Sequence, residues 1–414
     1  MHWGWETAGI SQETMQRTKK VVVIGGCGHV GLPLGIVFAN RGLEVFLLDR
    51  DQSKVDRVNR GQLPFMENNA LEQLQRVVGK QLTATVDRRC LAEADAVIAV
   101  LGTPVDEHLN PTVTDLYRAI DASIESMPEN SLLVLRSTVY PGVSKLVYDR
   151  LRASGRKIHL AFCPERVAEG RAMEEIRTLP QIISAFDDES LARARELFSI
   201  INDDLIELAP LEAELAKLFT NSWRYMNFAI SNQFYMLAES YGLDFQRIYK
   251  AVTHRYPRMK HFARAGFAAG PCLLKDTLQL SSFSGNQFFL GHAAMLVNEG
   301  LPNFIVGQLR PHGLGEKVVA ILGMAFKADS DDVRESLSYK LRKLLTLEAK
   351  EVLCTDPYVA DERLIPLHEA VGRADVVILG VPHAAYRDLT VPPGKQVVDV
   401  WGYWPTGRGG ETQS

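Results

Sequence analysis

Short, continuous apolar runs recur along this chain of 414 residues and constrain its fold more than any other feature. Stretches with the periodicity of amphipathic helices separate the runs. Strands that are apolar on both faces are typical of a parallel sheet, because helices cover both of its sides. The runs occupy residues 21–24, 45–48, 96–101, 132–135, 318–322, 376–379 and 397–400. The sequence therefore predicts an α/β protein with two doubly wound units.

A long helix is predicted in the gap between the two groups of runs. Residues 210–242 keep helical periodicity, with Pro210 at a first-turn position and Gly242 just past the end. Segments 92–104 and 373–382 resemble each other, which favours two related halves. We predict an N-terminal extension, an α/β domain, a central helical domain and a second α/β domain, which cover residues 1–18, 19–208, 209–305 and 306–414.

Charge and cysteine content exclude several classes of protein. Lys and Arg number 46 against 50 Asp and Glu, which gives a net charge of −4 and too little positive charge for generic binding of nucleic acid or anionic membrane. The five cysteines are scattered without a C-x-x-C pair, which is typical of reduced thiols and offers no metal site. Neither a membrane span of about 18 apolar residues nor a signal peptide is recognisable. We expect a cytoplasmic protein with a poorly ordered N-terminal extension.

The first apolar run leads directly into a glycine-rich turn, GGCGHVG at residues 25–31. A G-x-G-x-x-G motif between a strand and a helix is typical of a Rossmann dinucleotide site. Gly26 would permit the tight turn, Gly28 the approach of a pyrophosphate, and Gly31 the close packing of helix on strand. A purely structural glycine turn is the alternative. The contacts with cofactor are expected from Gly26, Gly28, His29, Val30 and Gly31.

An acidic residue, Asp49, follows the second run, 18 residues after Gly31. A carboxylate at the end of the second strand accepts hydrogen bonds from the ribose 2′-OH and repels a 2′-phosphate, which favours NAD over NADP. The adjacent Arg50 tempers this preference, and Asp49 as an ordinary turn residue stays an alternative. We also place Thr103 and Pro104 in the cofactor site.

Two further groups of residues carry reactive side chains. Cys272 follows a Gly-Pro turn and is followed within four residues by Lys275 and Asp276, which are the neighbours needed to tune a thiolate. Lys217 and Asn221 are four residues apart and share one face of the predicted long helix. Composition alone also allows a buried, inert cysteine and a solvated Lys/Asn pair.

The order of these motifs resembles one enzyme family. The motifs are LRSTVYPG, FCPERVAEG, the Lys217/Asn221 pair, the Cys272 loop and FKADSDDVRES, which begin at residues 135, 162, 217, 266 and 326. In this order they resemble the UDP-glucose/GDP-mannose dehydrogenase family, over residues 20 to about 400. The resemblance implies oxidation of the C6 alcohol of a nucleotide sugar to a carboxylate with two NAD⁺ in succession.

The resemblance also implies roles for the reactive side chains. Cys272 would attack the aldehyde intermediate, so that a thiohemiacetal is oxidised to a thioester. Lys217 and Asn221 would stabilise the oxyanion. Asp276 would hold a water molecule that accepts the alcohol proton.

Two further residues complete the catalytic set that the resemblance implies. Thr138 would lie beside the nicotinamide and order the same water, and Glu165 would be the general base in thioester hydrolysis. Without the resemblance, Thr138 would be an ordinary β-branched residue at a strand end. Glu165 would be a turn carboxylate after Pro164.

The second half is expected to bind the nucleotide. By resemblance, Lys327 and Arg334 would contact the UDP portion, since cations suit a diphosphate. Arg258 would reach the sugar site of a neighbouring subunit. The long helix would pack against its symmetry mate, so we expect a homodimer or a higher homo-oligomer.

The identity of the sugar receives conflicting signals. Segments 163–167 and 222–224 resemble the branch that oxidises UDP-N-acetylhexosamines, and their Arg166 and Arg224 offer donors to an acetamido group. Residues 275–276 instead resemble the glucose and GDP-mannose enzymes. We favour UDP-N-acetylmannosamine or UDP-N-acetylglucosamine, with UDP-glucose 6-dehydrogenase as the alternative.

Two further alternatives change the class of function. A single-step hydroxyacid dehydrogenase would need no nucleophilic thiol and would form one NADH per substrate. A non-catalytic nucleotide-sugar-binding protein would be expected to lack one or more members of the reactive set. All four of its members are present: Lys217, Asn221, Cys272 and Asp276.

Overall fold

The computed structural model describes residues 18–102, 114–267 and 270–404. Residues 1–17 of the predicted extension lie outside these ranges, as do Thr103 and Pro104 of the predicted cofactor site. Within the described ranges, no helix is both long enough and apolar enough to cross a bilayer.

The first sheet lies in the N-terminal half. Its strands are β1 (Lys20–Ile24), β2 (Glu44–Leu48), β3 (Leu82–Thr85), β4 (Ala96–Ala99), β5 (Leu132–Leu135), β6 (His159–Phe162), β7 (Gln181–Ala185) and β8 (Leu205–Glu207). They follow the order β3-β2-β1-β4-β5-β6-β7-β8, and neighbours are parallel except for β6 and β7. The central part of the sheet is the doubly wound arrangement that the apolar runs predict.

The helices follow in chain order. They are α1 (Gly31–Asn40), α2 (Gln52–Asn59), α3 (Leu71–Val77), α4 (Thr114–Ile124), α5 (Val143–Ala153), α6 (Ala172–Thr178), α7 (Asp188–Ser199), α8 (Pro210–Ser240), α9 (Phe245–Thr253), α10 (Leu273–Phe283), α11 (Phe289–Leu309), α12 (Leu337–Thr346) and α13 (Leu367–Arg373).

Two apolar cores, one on each face of the first sheet, explain why its strands are continuously apolar. Val21 and Val23 of β1 point into one core, while Val22 and Ile24 point into the other. Successive side chains of a strand alternate between faces, so a strand covered on both sides needs apolar residues at every position.

The long helix α8 connects the two halves and begins at Pro210, as predicted. Its first turn is closed by Glu212, whose Oε2 accepts a hydrogen bond of 2.8 Å from the backbone N–H of Ala209. One side of α8 is buried against α10 and α11. Glu214, Lys217 and Asn221 lie on that buried side, so the helix carries charged and polar groups into the interior.

The second sheet repeats the centre of the first. Its strands are β9 (Val318–Leu322), β10 (Glu351–Thr355), β11 (Val376–Leu379) and β12 (Gln396–Val398), in the parallel order β10-β9-β11-β12. This is the order β2-β1-β4-β5 of the first sheet. The similar segments 92–104 and 373–382 contain β4 and β11, which occupy equivalent places. Two Rossmann-like domains therefore flank the helical middle.

Candidate active site

The glycine-rich turn after β1 has the shape of a dinucleotide site. Gly25, rather than Gly26, takes the left-handed conformation of the turn, with φ of +73°. A Cβ added to Gly26 would lie 2.7 Å from the Cα of Leu47, and one added to Gly31 would lie 2.5 Å from the carbonyl oxygen of Gly25. Gly28 has its nearest such neighbour at 3.4 Å. The open side of Gly28 thus fits a pyrophosphate at the start of α1, whose N-cap residue is Val30.

Asp49 lies at the end of β2 and links this strand to the glycine-rich turn. Its Oδ2 accepts a hydrogen bond of 2.9 Å from the backbone N–H of Cys27, and its Oδ1 accepts one of 3.1 Å from the backbone N–H of Asp51. Each carboxylate oxygen has two lone pairs, so the group can still accept from ribose hydroxyls. Arg50 is exposed beside it. The residues fit NAD, the cofactor predicted from the sequence.

The predicted catalytic side chains of the middle domain come together. Cys272 is the N-cap residue of α10, and Asp276 is fully buried one turn later. Asp276 Oδ2 accepts a hydrogen bond of 2.5 Å from Asn221 Nδ2 of α8. The Lys275 ammonium lies 2.7 Å from Asp276 Oδ1. The contact between α8 and α10 therefore brings together residues that are about fifty positions apart in the chain.

Lys217 is a buried cation beside this cluster. Burial lowers its pKa, while the nearby Asp276, Cys272 and Glu165 act in the opposite direction. An ammonium group that is poor in water contacts and surrounded by acidic groups is well suited to stabilise a developing oxyanion.

Cys272 is exposed as a residue, yet protein atoms crowd around its sulfur. This desolvation raises the pKa of the thiol, and Asp276 adds to the increase, whereas Lys275 and Lys217 reduce it. The thiol form is therefore favoured in this state.

The carboxyl ends of the central strands carry the remaining predicted catalytic residues. Thr138 is half-buried three residues after β5, and Glu165 is buried three residues after β6. The hydroxyl of Ser137 accepts a hydrogen bond of 2.7 Å from the backbone N–H of Leu101, which holds this strand edge together. In parallel sheets, ligands bind at this edge.

Two cations of the second α/β domain reach the cleft between the domains. The Nζ atom of Lys327 donates to the carbonyl oxygen of Glu169. The Nη2 atom of Arg334 lies 3.0 Å from Glu169 Oε1, and its Nε donates to Asp332 Oδ2 at 2.8 Å. Both cations are thus paired with carboxylate or carbonyl oxygens, and their predicted contact with a diphosphate stays a prediction.

The cleft also contains His29 from the glycine-rich turn. Its ring stacks on Phe65 with 3.9 Å between centroids, and burial, assisted by the charge of Arg334, lowers its pKa to about 4. Burial and the neighbouring Asp332 raise the pKa of Glu169 to about 7. His29, Glu169 and Asp332 lie close enough to share a metal ion. Because Arg334 already binds both carboxylates, this set favours a cationic side chain over a metal.

Three predicted substrate residues lie outside this cluster or at its border. Arg166 Nη2 donates to the carbonyl oxygen of Pro180, which directs the side chain towards its own domain. Arg224 is exposed on α8, near enough to Lys327 for its charge to lower the pKa of that lysine. Arg258 is exposed, and its guanidinium lies over the Tyr256 ring at 5.6 Å. Their roles stay predictions.

Sequence reasoning missed four buried or half-buried charged residues around the site. Glu214 accepts hydrogen bonds of 2.6 and 2.8 Å from the backbone N–H groups of Gly142 and Ser144, at the start of α5. It thereby ties α8 to the loop that follows Thr138. The other three lie inside the motifs that carry the family resemblance, at positions to which the resemblance gave no role: Arg136, Glu169 and Asp332.

Comparison with known proteins gives one consistent family. Three models of the UDP-glucose/GDP-mannose dehydrogenase family match the chain: its NAD binding domain at residues 19–202, its central domain at 211–299 and its UDP binding domain at 320–405. Together they cover most of the chain.

Individual relatives agree with this match. A UDP-N-acetyl-D-mannosamine dehydrogenase of Pyrococcus horikoshii is 29% identical, with 89% of this chain and 90% of the relative covered. An NDP-N-acetyl-D-galactosaminuronic acid dehydrogenase of Ralstonia nicotianae is 26% identical, with 94% and 97% covered. The solved structure of a UDP-glucose dehydrogenase from Pyrobaculum islandicum is similar with a TM-score of 0.85 and 26% identity, and 96% of this chain and 100% of that chain are covered.

Proposed function

Because the chain belongs to the UDP-glucose/GDP-mannose dehydrogenase family and is an NAD-dependent nucleotide-sugar dehydrogenase, we propose that it oxidises the C6 alcohol of a UDP-N-acetylhexosamine through a covalent adduct on Cys272. The observation that carries this proposal is the convergence of one thiol with a buried carboxylate, amide and ammonium: Cys272, Asp276, Asn221 and Lys217.

The first oxidation converts the alcohol to an aldehyde. NAD⁺, which the glycine-rich turn and Asp49 would hold, would supply the hydride acceptor for C6. Asp276 holds the water that takes the hydroxyl proton, and Asn221 fixes the orientation of that carboxylate through their 2.5 Å hydrogen bond. Lys217 stabilises the oxyanion that develops at the sugar oxygen.

The second oxidation needs the aldehyde to be captured. The thiolate of Cys272 would add to the carbonyl carbon to give a thiohemiacetal. Loss of its hydroxyl proton, and of a hydride to a second NAD⁺, would give the thioester. Water then adds to the thioester, the C–S bond breaks, and the carboxylate leaves with the thiol restored. Burial and Asp276 raise the pKa of the Cys272 thiol, while the positive charges of Lys275 and Lys217 favour the thiolate that would attack the aldehyde.

A substitution of the thiol tests this mechanism. Wild-type enzyme should form two NADH per sugar, and Cys272→Ser should retain substrate binding while steady-state turnover falls by at least about 10³-fold. Cys90→Ser is the matched control, because Cys90 is a half-buried free thiol that packs against an apolar core of the first sheet. One NADH per sugar in wild type would rule out the two-step reaction.

An acetamido sugar is the favoured substrate. Relatives named for N-acetylated sugars support it, as does the position of Arg224 near Lys327. A buried site that hydrogen-bonds the acetamido group should reject UDP-glucose, because its donors would be left unpaired. We expect kcat/KM for UDP-N-acetylmannosamine or UDP-N-acetylglucosamine to exceed that for UDP-glucose by at least about 10²-fold. A higher kcat/KM for UDP-glucose would favour the glucose alternative.

A homodimer and a reducing compartment complete the proposal. The side of α8 that faces away from α10 exposes apolar side chains, including Phe234, Leu237 and Tyr241, which a second copy of the chain would cover.

All five cysteines are free, which is compatible with a cytoplasmic location.

A further inference from the structure

A fully buried arginine lies directly behind Glu165. Arg136 follows β5, and its side chain has no exposed surface. Its Nη2 atom donates to Glu165 Oε2 at 2.5 Å and to Gln181 Oε1 at 2.8 Å, and its Nη1 donates to the carbonyl oxygen of Cys163 at 3.1 Å. The guanidinium also lies 4.8 Å from the centroid of the Phe198 ring. These contacts replace the water that a buried cation loses.

The partners of Arg136 are themselves fixed. Gln181 Nε2 donates to the carbonyl oxygens of Ile176 and Leu179, at 3.1 and 2.9 Å, so its oxygen is the atom that faces the arginine. Glu165 Oε1 accepts from the backbone N–H of Arg166 at 2.7 Å and of Val167 at 3.1 Å. Both oxygens of Glu165 are therefore held, and Oε2 keeps a lone pair for one further donor.

We propose that Arg136 is a positioning residue for thioester hydrolysis, which keeps Glu165 ionised and correctly oriented to accept a proton from the attacking water. The inference rests on the role of Glu165 in the proposed function. In the hydrolysis step, the water oxygen bonds to the thioester carbon and the electron pair of the broken C–S bond returns to sulfur. The water proton passes to Glu165 and from there to the sulfur of Cys272.

Three cations face the Glu165 carboxylate. Arg136 comes from the end of β5, Lys217 from α8, and Arg166 is the adjacent residue. The buried thiol of Cys163 remains neutral, because burial raises its pKa to about 12. Arg136 is the cation in direct contact, and a guanidinium does not lose its proton in a protein. An opposite charge at contact distance favours the ionised form of a carboxyl group, and Arg136 supplies that charge to Glu165.

Two substitutions separate charge from shape. Arg136→Lys keeps the charge, and Arg136→Met removes it at similar length. Arg193→Met is the matched control. Arg193 of α7 lies in the same domain, and its Nη1 donates a hydrogen bond of 2.6 Å to the carbonyl oxygen of Asn130, away from the cleft. The measurements are NADH formation in the first turnover after rapid mixing, the steady-state rate from pH 6 to 9, and thermal unfolding.

For Arg136→Met, we expect the first-turnover NADH to form at nearly the wild-type rate. The steady-state rate should fall about 10²-fold at pH 7 and partly recover at higher pH. The acid limb of the pH profile should move up by at least about one pH unit, whereas Arg136→Lys should keep it near its wild-type position.

A parallel loss of first-turnover and steady-state rates, with an unchanged pH profile, would show a purely structural role and overturn the proposal. If Arg136→Met does not fold, Arg136→Gln, which keeps a hydrogen-bond donor without the charge, decides by the same comparison: a selective loss in steady state supports the proposal, and a uniform loss or no loss overturns it. Failure of the proposed function is a separate result, because wild type would then form one NADH per sugar.

Discussion

At the scale of single residues, buried carboxylates that accept backbone N–H groups organise the chain. Asp49 binds the first glycine-rich turn, Glu214 binds the start of α5, and Asp356 binds the turn after β9. Spacing and family resemblance predicted Lys217, Asn221, Cys272 and Asp276 as a set, because the two members of each pair are only four residues apart in the chain. Glu214 could not be predicted in this way, because its partners lie about seventy residues away in the chain.

Asp356 makes the second α/β domain sensitive to acid. Burial alone would raise its pKa, but hydrogen bonds from His383 and from backbone N–H groups hold the pKa at about 2. The carboxylate therefore stabilises the fold above its unfolded pKa of 3.8, and this contribution is lost as the pH falls from about 4 to 2. We expect it to amount to about 2 kcal/mol.

Denaturant unfolding from pH 5 to 2.5, followed by tryptophan fluorescence, to which Trp401 and Trp404 of this domain contribute, measures this contribution. Asp356→Asn should lower the free energy of unfolding at pH 5 and flatten its pH dependence. The exposed Asp388→Asn is the control and should follow wild type. Parallel pH curves for wild type and Asp356→Asn would contradict the assignment.

At the scale of elements, strands with four or more consecutive apolar residues and the helix α8 agree closely with prediction. The helix was predicted at residues 210–242 and spans Pro210–Ser240. Strands β3, β6, β7, β8 and β10 were not predicted. Strand β3 alternates between buried and half-exposed or exposed residues, β8 is only three residues long, and β6, β7 and β10 contain at most three consecutive apolar residues. The reversal of β7 also has no local signal, since its direction depends on pairing with β6.

The glycine-rich turn allows folding and cofactor binding to be separated. Gly31→Ala would place a Cβ 2.5 Å from the Gly25 carbonyl oxygen and should destabilise the protein by about 1–3 kcal/mol. Gly28→Ala meets its nearest protein atom at 3.4 Å, so its stability should stay within about 0.5 kcal/mol of wild type. Its Kd for NAD⁺ should nevertheless rise at least about 10-fold, because the methyl group occupies the approach of the pyrophosphate.

Calorimetric titration with NAD⁺ and thermal unfolding distinguish these effects. Gly372→Ala in α13, where a Cβ meets open space, is the control for both measurements. Unchanged NAD⁺ affinity in Gly28→Ala would place the pyrophosphate elsewhere.

At the scale of the whole molecule, the two related halves share the same glycine turn after β1 and β9, but the residues that follow the turn differ. Gly25 and Gly323 both have positive φ, and each donates its N–H to the residue that ends the neighbouring strand, Leu48 or Thr355, at 2.9 Å. A Cβ would clash with the Val100 carbonyl oxygen on Gly25 and would lie 2.6 Å from the Val381 side chain on Gly323, so both turns need glycine there. Three residues later the first turn has Gly28, with an open side, and the second has Phe326. The apolar runs predicted the two halves, but the cleft between them depends on long-range contacts such as Arg334 with Glu169.

A second copy of the chain is expected to bind to the exposed apolar face of α8. Apolar side chains that are between 45% and 76% exposed recur at helical spacing along α8 and at the residue after it. They are Phe219, Trp223, Ile230, Phe234, Leu237 and Tyr241. Phe234→Glu with Leu237→Glu should raise the dimer Kd at least about 10²-fold in sedimentation, because both charges would be buried in the contact. Leu347→Glu, at an 84% exposed residue outside this face, is the control.

Mixing two inactive variants then tests whether the copies share their sites. Arg258 is exposed and lies outside the cluster of its own chain, so we predict that it serves the partner's sugar site. Arg258→Ala and Cys272→Ala should each abolish most activity alone. In a mixed dimer, the first chain supplies an intact Cys272 and its partner supplies an intact Arg258, so one complete site forms. Subunit exchange should therefore restore about a quarter of wild-type activity on the statistics of random pairing. No recovery after exchange, with mixed dimers verified by differential tags, would show that Arg258 acts within its own chain.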